Sequence, residues 1–539
     1  MKKKLFFGMN LVLLLLVAVF FLSQHTAAQM FPRFSDKAIH KINKNFIVTD
    51  KDILEVLRYN GKELPFDAEK GIFYLPLSMD DPDWEQGAIT SGTKGCEITF
   101  LSDVEAQSKE ELMANGTEIP FLAVSGNTYR QYALVITGLP VIEITTTEAP
   151  AEEDGEGRYH IRVLSTDSAE GVVESDARMH VRGNTSRTYP KKGYRLQLVK
   201  QTASGGETAN KQKLLGMRKD DDWILYAMYN DGTKIRDKLS IDIWNAYGAD
   251  NNDFKGKLGT DLTYVEVVWD GAYYGIYGLM EPVDAKQVNL KKDNGLHLSE
   301  YIYKRKQPSD LSLSNFEEES DTAMRAGFEL KGSRESISLA DWEPLRALIA
   351  WQEQSSDRAF VRDAETYVNI ENTVDFWIFA NLITGYDQLA KNVYYIARVE
   401  NGAYRFYFAP WDMDLTFGYT SDPDFPWGTK YESYLYENYI WWEPGNRLMK
   451  TDAAGARTLA QERYASLRET VLTDEWFARE LENLQHTVVD SGAFERDRAR
   501  WPEGSHEGDY ASLSAYTQKR LAWLDAFMSD IEAGLKNWE

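Results

Sequence analysis

The sequence predicts an α+β fold, in which a small β-rich, sandwich-like module precedes a larger mixed domain with a helical C-terminal part. Three observations carry this expectation. The dipeptides Asp270-Gly271 and Asn401-Gly402 sit between strand-like runs and supply the positive φ of a tight hairpin turn. Apolar residues recur at helical spacing at Ile235, Leu239, Ile243 and Trp244, and again at Leu459, Tyr464, Leu467 and Val471. Hydrophobic residues make up 43% of the 539, with 15 Trp, 30 Tyr and 24 Phe, which is enough to pack cores and exclude global disorder.

The elements follow in order. Lys2, Lys3 and Lys4 precede an apolar run from Leu5 to Leu22, and Thr26-Ala27-Ala28 closes it. Basic, apolar and small residues in that order predict a signal peptide over 1–28, cleaved after Ala28, and hence an exported chain in periplasm, surface or medium. An uncleaved segment would instead anchor the chain in a membrane. Residues 29–136 read as the β-rich module, from short runs at Gly61–Pro65, Gly71–Leu77 and Glu97–Leu101. The larger domain spans 137–539. The acidic stretch 145–157 is either a linker or the tip of a long hairpin. Tyr194–Leu198 reads as a strand and Lys234–Ala246 as a helix. Tyr264–Trp269 with Ala272–Leu279 forms a hairpin, and so does Val393–Ala397 with Tyr404–Phe408. Ser309–Asp321 is a polar insertion and Asn372–Leu382 a buried helix. Helices dominate from about 454.

Composition excludes several functions. Lys and Arg number 60 against 84 Asp and Glu, a net charge of −24, so no nucleic-acid partner is expected. The single cysteine, Cys96, permits no internal disulfide and no cysteine-rich metal site. An exported chain of this kind is held together by packing, which suits a bacterial protein. Seven His without an H-E-x-x-H pair argue against a zinc peptidase.

The chemistry concentrates between Gly385 and Gly418. Asp387 and Asn392 are spaced D-x-x-x-x-N, a hairpin follows, and its second strand runs into Pro410-Trp411-Asp412-Met413-Asp414. Phosphoryl transfer needs such a set. One carboxylate orients and deprotonates the attacking hydroxyl, while an amide oxygen and a second carboxylate hold divalent cations against the phosphates. Alternatives stay open at this point: a helix-end turn for Asp387, an Asx turn for Asn392, and a structural calcium site at Asp412 and Asp414. Upstream, the loop from Arg182-Gly183-Asn184 to Lys191-Lys192-Gly193 is small, polar and basic within an acidic protein, as an anionic ligand requires.

At these residues the sequence resembles the CotH kinase family, named for a bacterial spore-coat protein. The matching stretches are Arg182–Ser186 with Lys191–Leu196, Leu215-Gly216 with Asp220–Ala227, Asn230-Asp231 with Ile235–Asp237, Tyr274–Glu281, Tyr303-Lys304, and Asp387–Asn392 with Pro410–Gly418. The resemblance implies an atypical protein-kinase-like fold that binds ATP with Mg²⁺ or Mn²⁺ and phosphorylates Ser of secreted or coat proteins. It casts Asp387 as catalytic base, Asn392 and Asp412 as metal ligands, and Asp414 as support for the metal shell. Arg182, Asn184, Lys192 and Lys304 become candidates for nucleotide phosphate contact. Glu281 lies near the nucleotide or serves packing. Asp220-Asp221-Asp222 reads as a structural turn. The chain departs from ordinary kinases in lacking a glycine-rich G-x-G-x-x-G loop and the His-Arg before the base, where Gly385-Tyr386 stands. The second reading is a non-catalytic surface or matrix protein that binds nucleotide, glycan or protein. The acidic surface favours acceptors rich in Lys, Arg and Ser.

Overall fold

The computed structural model describes residues 30–536, apart from 83, 102–107, 153–154, 168, 292–297, 309–310, 319–323, 333–336 and 422–428. The apolar N-terminal run and its expected cleavage site lie outside them. No helix of the described residues is long and apolar enough to cross a membrane.

Helix α1 (Asp36–Asn45) leads into a β-rich region. Its first sheet holds β1 (Ile47–Val48), β4 (Phe66–Asp67), β5 (Ile72–Pro76), β7 (Cys96–Phe100), β8 (Ile119–Ser125) and β9 (Thr128–Thr137). A three-stranded sheet of β2 (Leu57–Tyr59), β3 (Lys62–Glu63) and β6 (Ile89–Ser91) shares one core with it, in which Leu57, Tyr59, Phe73 and Phe121 are buried. Helix α2 (Lys109–Ala114) packs its Leu112 and Met113 there.

The next strands close on themselves. They are β10 (Val141–Glu148), β11 (Gly157–Leu164), β12 (Val173–Arg182), β13 (Gly193–Gln201), β17 (Asp222–Tyr226), β18 (Leu262–Trp269) and β19 (Ala272–Met280). They run in the order β12-β11-β10-β18-β19-β17-β13, and β12 pairs back onto β13, from Asp176↔Val199 to Arg182↔Gly193. The result is a seven-stranded barrel. Its interior follows from two-residue alternation: Ile142, Ile144, Tyr159, Ile161, Ala177, Met179, Leu196, Leu198, Trp223, Leu225, Val265, Val267, Tyr277 and Leu279 all point into one cluster. Short strands β14 (Glu207–Ala209), β15 (Gln212–Lys213) and β16 (Lys219–Asp220) decorate it. The strands on either side of the acidic stretch form a hairpin, because β10 and β11 pair up to Glu148↔Arg158.

The outer face of β17–β19, with Ile224, Tyr264, Ile276 and Met280, packs on the main core. That core is built around α3 (Arg236–Tyr247) and a five-stranded sheet in the order β21-β22-β20-β23-β24: β20 (Tyr301–Arg305), β21 (Met324–Arg325), β22 (Phe328–Leu330), β23 (Val393–Glu400) and β24 (Ala403–Pro410). Within the polar insertion, α4 (Leu313–Glu318) forms. Helices α5 (Glu343–Gln354), α6 (Asp357–Tyr367) and α7 (Ile370–Leu382) follow, and α7 is apolar enough to be enclosed on nearly every side. After β25 (Tyr419–Ser421) and β26 (Thr429–Tyr431) the chain is helical: α8 (Gly445–Thr451), α9 (Ala456–Thr470), α10 (Asp474–Val489), α11 (Ala493–Arg500), α12 (Tyr510–Ser529) and α13 (Ile531–Lys536). Both predicted tight turns have the required backbone, with φ of 48° and 72° at Asp270-Gly271 and 51° and 81° at Asn401-Gly402. The large aromatics serve packing: Trp223, Trp244, Trp342, Trp377 and Trp442 are fully buried.

Trp223 fills the barrel and its indole donates to the Asp220 carbonyl at 3.3 Å. Trp223→Ala is expected to lower unfolding free energy by about 3–5 kcal/mol in urea titration. A loss under about 1 kcal/mol would contradict a filled barrel.

Candidate functional site

The base of the β23–β24 hairpin gathers the acidic residues. Asp387 begins a single 3₁₀ turn after α7, closed by Ala390 N donating to the Asp387 carbonyl at 3.2 Å, and Lys391 N donates to the same carbonyl at 2.8 Å. Asn392 N donates to Arg305 O of β20 at 2.8 Å, and Trp411 N donates to Asn392 O at 3.0 Å. Register then places Asn392 just before Val393 and Asp412 just beyond Pro410, which pair across the hairpin. Asn392 and Asp412 both adopt left-handed backbone, with φ of 58° and 59°. Asn and Asp tolerate that region better than other non-glycine residues, and such conformations cluster at functional sites. Buried Gln388 locks the pair of loops by donating to Trp411 O at 3.0 Å and Asp412 O at 3.3 Å.

Asn392 joins the two carboxylates. Its Nδ2 lies 3.0 Å from Asp387 Oδ2 and 3.2 Å from Asp412 Oδ2. Lys391 Nζ also lies 2.8 Å from Asp387 Oδ2. One oxygen of the candidate base is thus held twice. Burial pushes the Asp387 carboxyl up, the Lys391 cation pulls it back, and the Asp412 charge pushes up again, leaving it above the usual carboxylate range. Lys391 keeps its charge, because Asp387, Asp412 and Asp414 together outweigh its burial.

Two further carboxylates complete the cluster. Asp414 accepts from Asn230 Nδ2 at 2.6 Å. Burial, then the charges of Asp412, Asp237 and Asp387, raise its carboxyl well above the ordinary value. Asp237, in the first turn of α3, accepts from Met413 N at 2.8 Å and from the Tyr226 hydroxyl at 2.7 Å. Burial and the Asp412 charge push it to about 7.

Two cations approach the same point from distant segments. Arg182, the last residue of β12, stands 5.7 Å from the Trp411 ring centre, and Lys304 Nζ of β20 stands 5.2 Å from it. Burial and then the Arg182 charge bring Lys304 down to about 7, against the opposite pull of Asp412. An anion placed beside these groups would relieve both effects.

The other sequence-derived candidates lie differently. Lys192 Nζ donates to Arg187 O at 2.6 Å within its own loop, and Asn184 is exposed. The return limb of that loop does meet the site: Tyr189 stacks on Tyr229 at 5.1 Å, and its phenol is pushed up by burial and then by the charges of Asp414 and Asp412. Glu281 is buried, accepting from Arg218 N at 2.8 Å and from Gln287 Nε2 at 3.1 Å. Both of its oxygens are thus engaged within the fold. Asp220 pairs with Arg218 at 2.7 Å and Lys286 at 2.6 Å, a structural arrangement as expected. Asp237, Asn230 and Lys391 escaped assignment from sequence. Asn230 and Asp237 stood in quoted family stretches, and Lys391 lay inside the D-x-x-x-x-N spacing itself, where an i+4 Lys reaches an Asp.

Among the described residues no three His, Cys, Asp or Glu side chains form a metal cage. The donor set at the hairpin base is two carboxylates and an amide that carries an oxygen. These are hard donors too few to enclose an ion, which fits Mg²⁺ sharing its coordination with water and phosphates rather than an all-protein calcium site. Asp414, bonded to Asn230, stands beside this set.

Hard oxygen donors facing two cations are the equipment of a phosphoryl-transfer protein. The chain belongs to the CotH kinase family: the family's model, described as CotH kinase protein, matches residues 179–524, well over half of its length. The match runs from the end of β12 through the basic loop and the hairpin into α12. No curated protein matches the chain. Family membership makes the protein a kinase in general class, with a nucleoside triphosphate and a divalent cation as its general requirements.

The Asp237 carboxyl, raised in the folded chain from 3.8 to about 7, sets a pH dependence. Between those values the folded state binds the proton more tightly than the unfolded state. Its stabilisation is therefore complete below about 4 and lost as pH rises through about 7. In divalent-free buffer, Tm should fall across that window, and Asp237→Asn should flatten the fall. An identical slope in the variant would refute the assignment.

Proposed function

We propose that the protein is an exported kinase that transfers the γ-phosphoryl group of ATP, with Mg²⁺, to Ser hydroxyls of secreted or surface proteins. The observation that carries this is the joining of Asp387 and Asp412 through Asn392 at one hairpin base, with Arg182 and Lys304 converging alongside. Bound MgATP supplies the electrophilic phosphorus and a cation that neutralises charge on the transferring oxygens.

The residues divide the work. Asp412 and Asn392 would hold the cation, with Asp414 supporting them. Lys304 and Arg182 receive phosphate oxygens, an exchange of mutual repulsion for attraction. Asp387, with Oδ2 anchored by Lys391 and Asn392, turns Oδ1 to the Ser hydroxyl and takes its proton; the Ser oxygen bonds to the γ-phosphorus as the bond from that phosphorus to the β–γ bridging oxygen breaks, and ADP leaves with the electron pair. Lys391 favours the ionised carboxylate that this step needs. Acceptor segments rich in Lys and Arg suit the acidic surface. The basic, apolar and small residues of 1–28 support export, and mature protein recovered outside the cytoplasm should begin at Gln29; a chain retaining Met1 would count against cleavage.

The assay is label transfer from ATP to Ser peptides with Mg²⁺ or Mn²⁺. Asp387→Ala should lower kcat by about 10³-fold or more, with basic peptides outpacing acidic ones at low salt. Undiminished transfer by the variant would sink the assignment.

A further inference from the structure

The loop between β12 and β13 starts from Arg182, the last residue of β12, and carries Lys192, yet its outbound limb is exposed at Asn184, Thr185 and Thr188. Its return limb is fastened by a residue that the reaction does not use. Lys191 is wholly buried, and its Nζ reaches Ile276 O at 2.5 Å and Asp497 Oδ1 at 2.6 Å, with the Tyr277 ring centre at 4.7 Å. Asp497, 1% exposed, lies on α11, far along the chain. The same Oδ1 accepts from Ile276 N at 2.9 Å, and Oδ2 lies 3.0 Å from His506 Nε2. Lys234 adds a second buried cation nearby, donating to Met228 O at 2.9 Å and Ser505 O at 2.7 Å.

The backbone of β19 is shaped to admit this pair. Gly275 has a φ of +114°, and a Cβ there would stand 2.4 Å from Asp497 Oδ1. The neighbouring residue on α11 faces the other way. Arg496 binds Glu266 of β18 at 2.8 Å and Thr137, the last residue of β9, at 2.9 Å. Two consecutive residues of one short helix thus tie the N-terminal sheet, the barrel and the basic loop to each other. Within the loop, Lys191 stands two residues before Gly193, which pairs with Arg182. Fixing Lys191 therefore fixes the root from which Arg182 extends toward Trp411.

We propose that Asp497 is a positioning residue for nucleotide binding: from α11 it holds Lys191, and through Lys191 and the paired Gly193 it sets where Arg182 stands relative to Asp412. This rests on the kinase reading above. The pair contributes placement, whereas Asp387 and the cation-holding residues contribute the chemistry, so the two roles separate kinetically.

The full chain is compared with Asp497→Asn and with the double variant Lys191→Met/Asp497→Leu. Replacing both buried charges by apolar groups of similar size is commonly tolerated by the fold, so the double variant keeps the test open if the single one unfolds. The expected result is a KM for ATP raised about 10- to 100-fold, as misplacement of a positioning group costs, with kcat within about threefold. Amide exchange in 183–192 should quicken while exchange in α7 does not. A folded double variant with wild-type KM overturns the positioning role and leaves the kinase reading standing. A wild-type chain that neither binds nor turns over MgATP overturns the kinase reading, and the inference falls with it.

Discussion

Carboxylates brought close together out of bulk water repel one another, and the candidate site of this chain is organised by how that repulsion is contained. Asp387, Asp414 and Asp237 each feel the charge of Asp412, and Asp414 also feels the other two. Neutral donors hold them in place: Asn392 between Asp387 and Asp412, Asn230 on Asp414, and Tyr226 with the Met413 amide on Asp237. Lys391 adds a cation to Asp387. Burial and mutual repulsion hold Asp387, Asp414 and Asp237 above the ordinary carboxylate range, and a cation brought among them would relieve that repulsion, which links the electrostatics of the fold to kinase chemistry.

The backbone shares this burden. Left-handed conformations at Asn392 and Asp412 turn the chain sharply at both ends of one hairpin, so that the two side chains stand across from each other. Strain of that kind persists where surroundings over-determine it. Gln388, the Arg305 carbonyl and the close packing of α7 provide those surroundings.

The positive side of the site is assembled over longer distances. Arg182 comes from a closed barrel, Lys304 from the five-stranded sheet, and the loop beside Arg182 is held from α11 by a buried ion pair. A closed barrel has no edge to fray, and its packed apolar interior makes it a firm support for Arg182 and the basic loop that follows it. The family match begins at Met179, inside the barrel strand that delivers Arg182.

Much of the site was legible in sequence because its parts are local. The D-x-x-x-x-N spacing, the Asn401-Gly402 turn and the following Asp are contiguous, and a hairpin of fixed register brings its two ends together whatever surrounds it. Local turn chemistry likewise determined the Asp270-Gly271 hairpin and the α+β character. Tertiary structure alone decided the rest. Closure of β12 on β13 depends on pairing that no local pattern announces, since alternating residues suit an open sheet as well as a barrel. Tertiary contacts decided that Lys304 and Arg182 meet at Trp411, that Glu281 is buried with Arg218 N and Gln287 as partners, and that Asp237 joins the acidic cluster. Charge and periodicity are properties of neighbours along the chain, whereas burial and Coulomb energy depend on neighbours in space, and these are set only once the whole chain has packed.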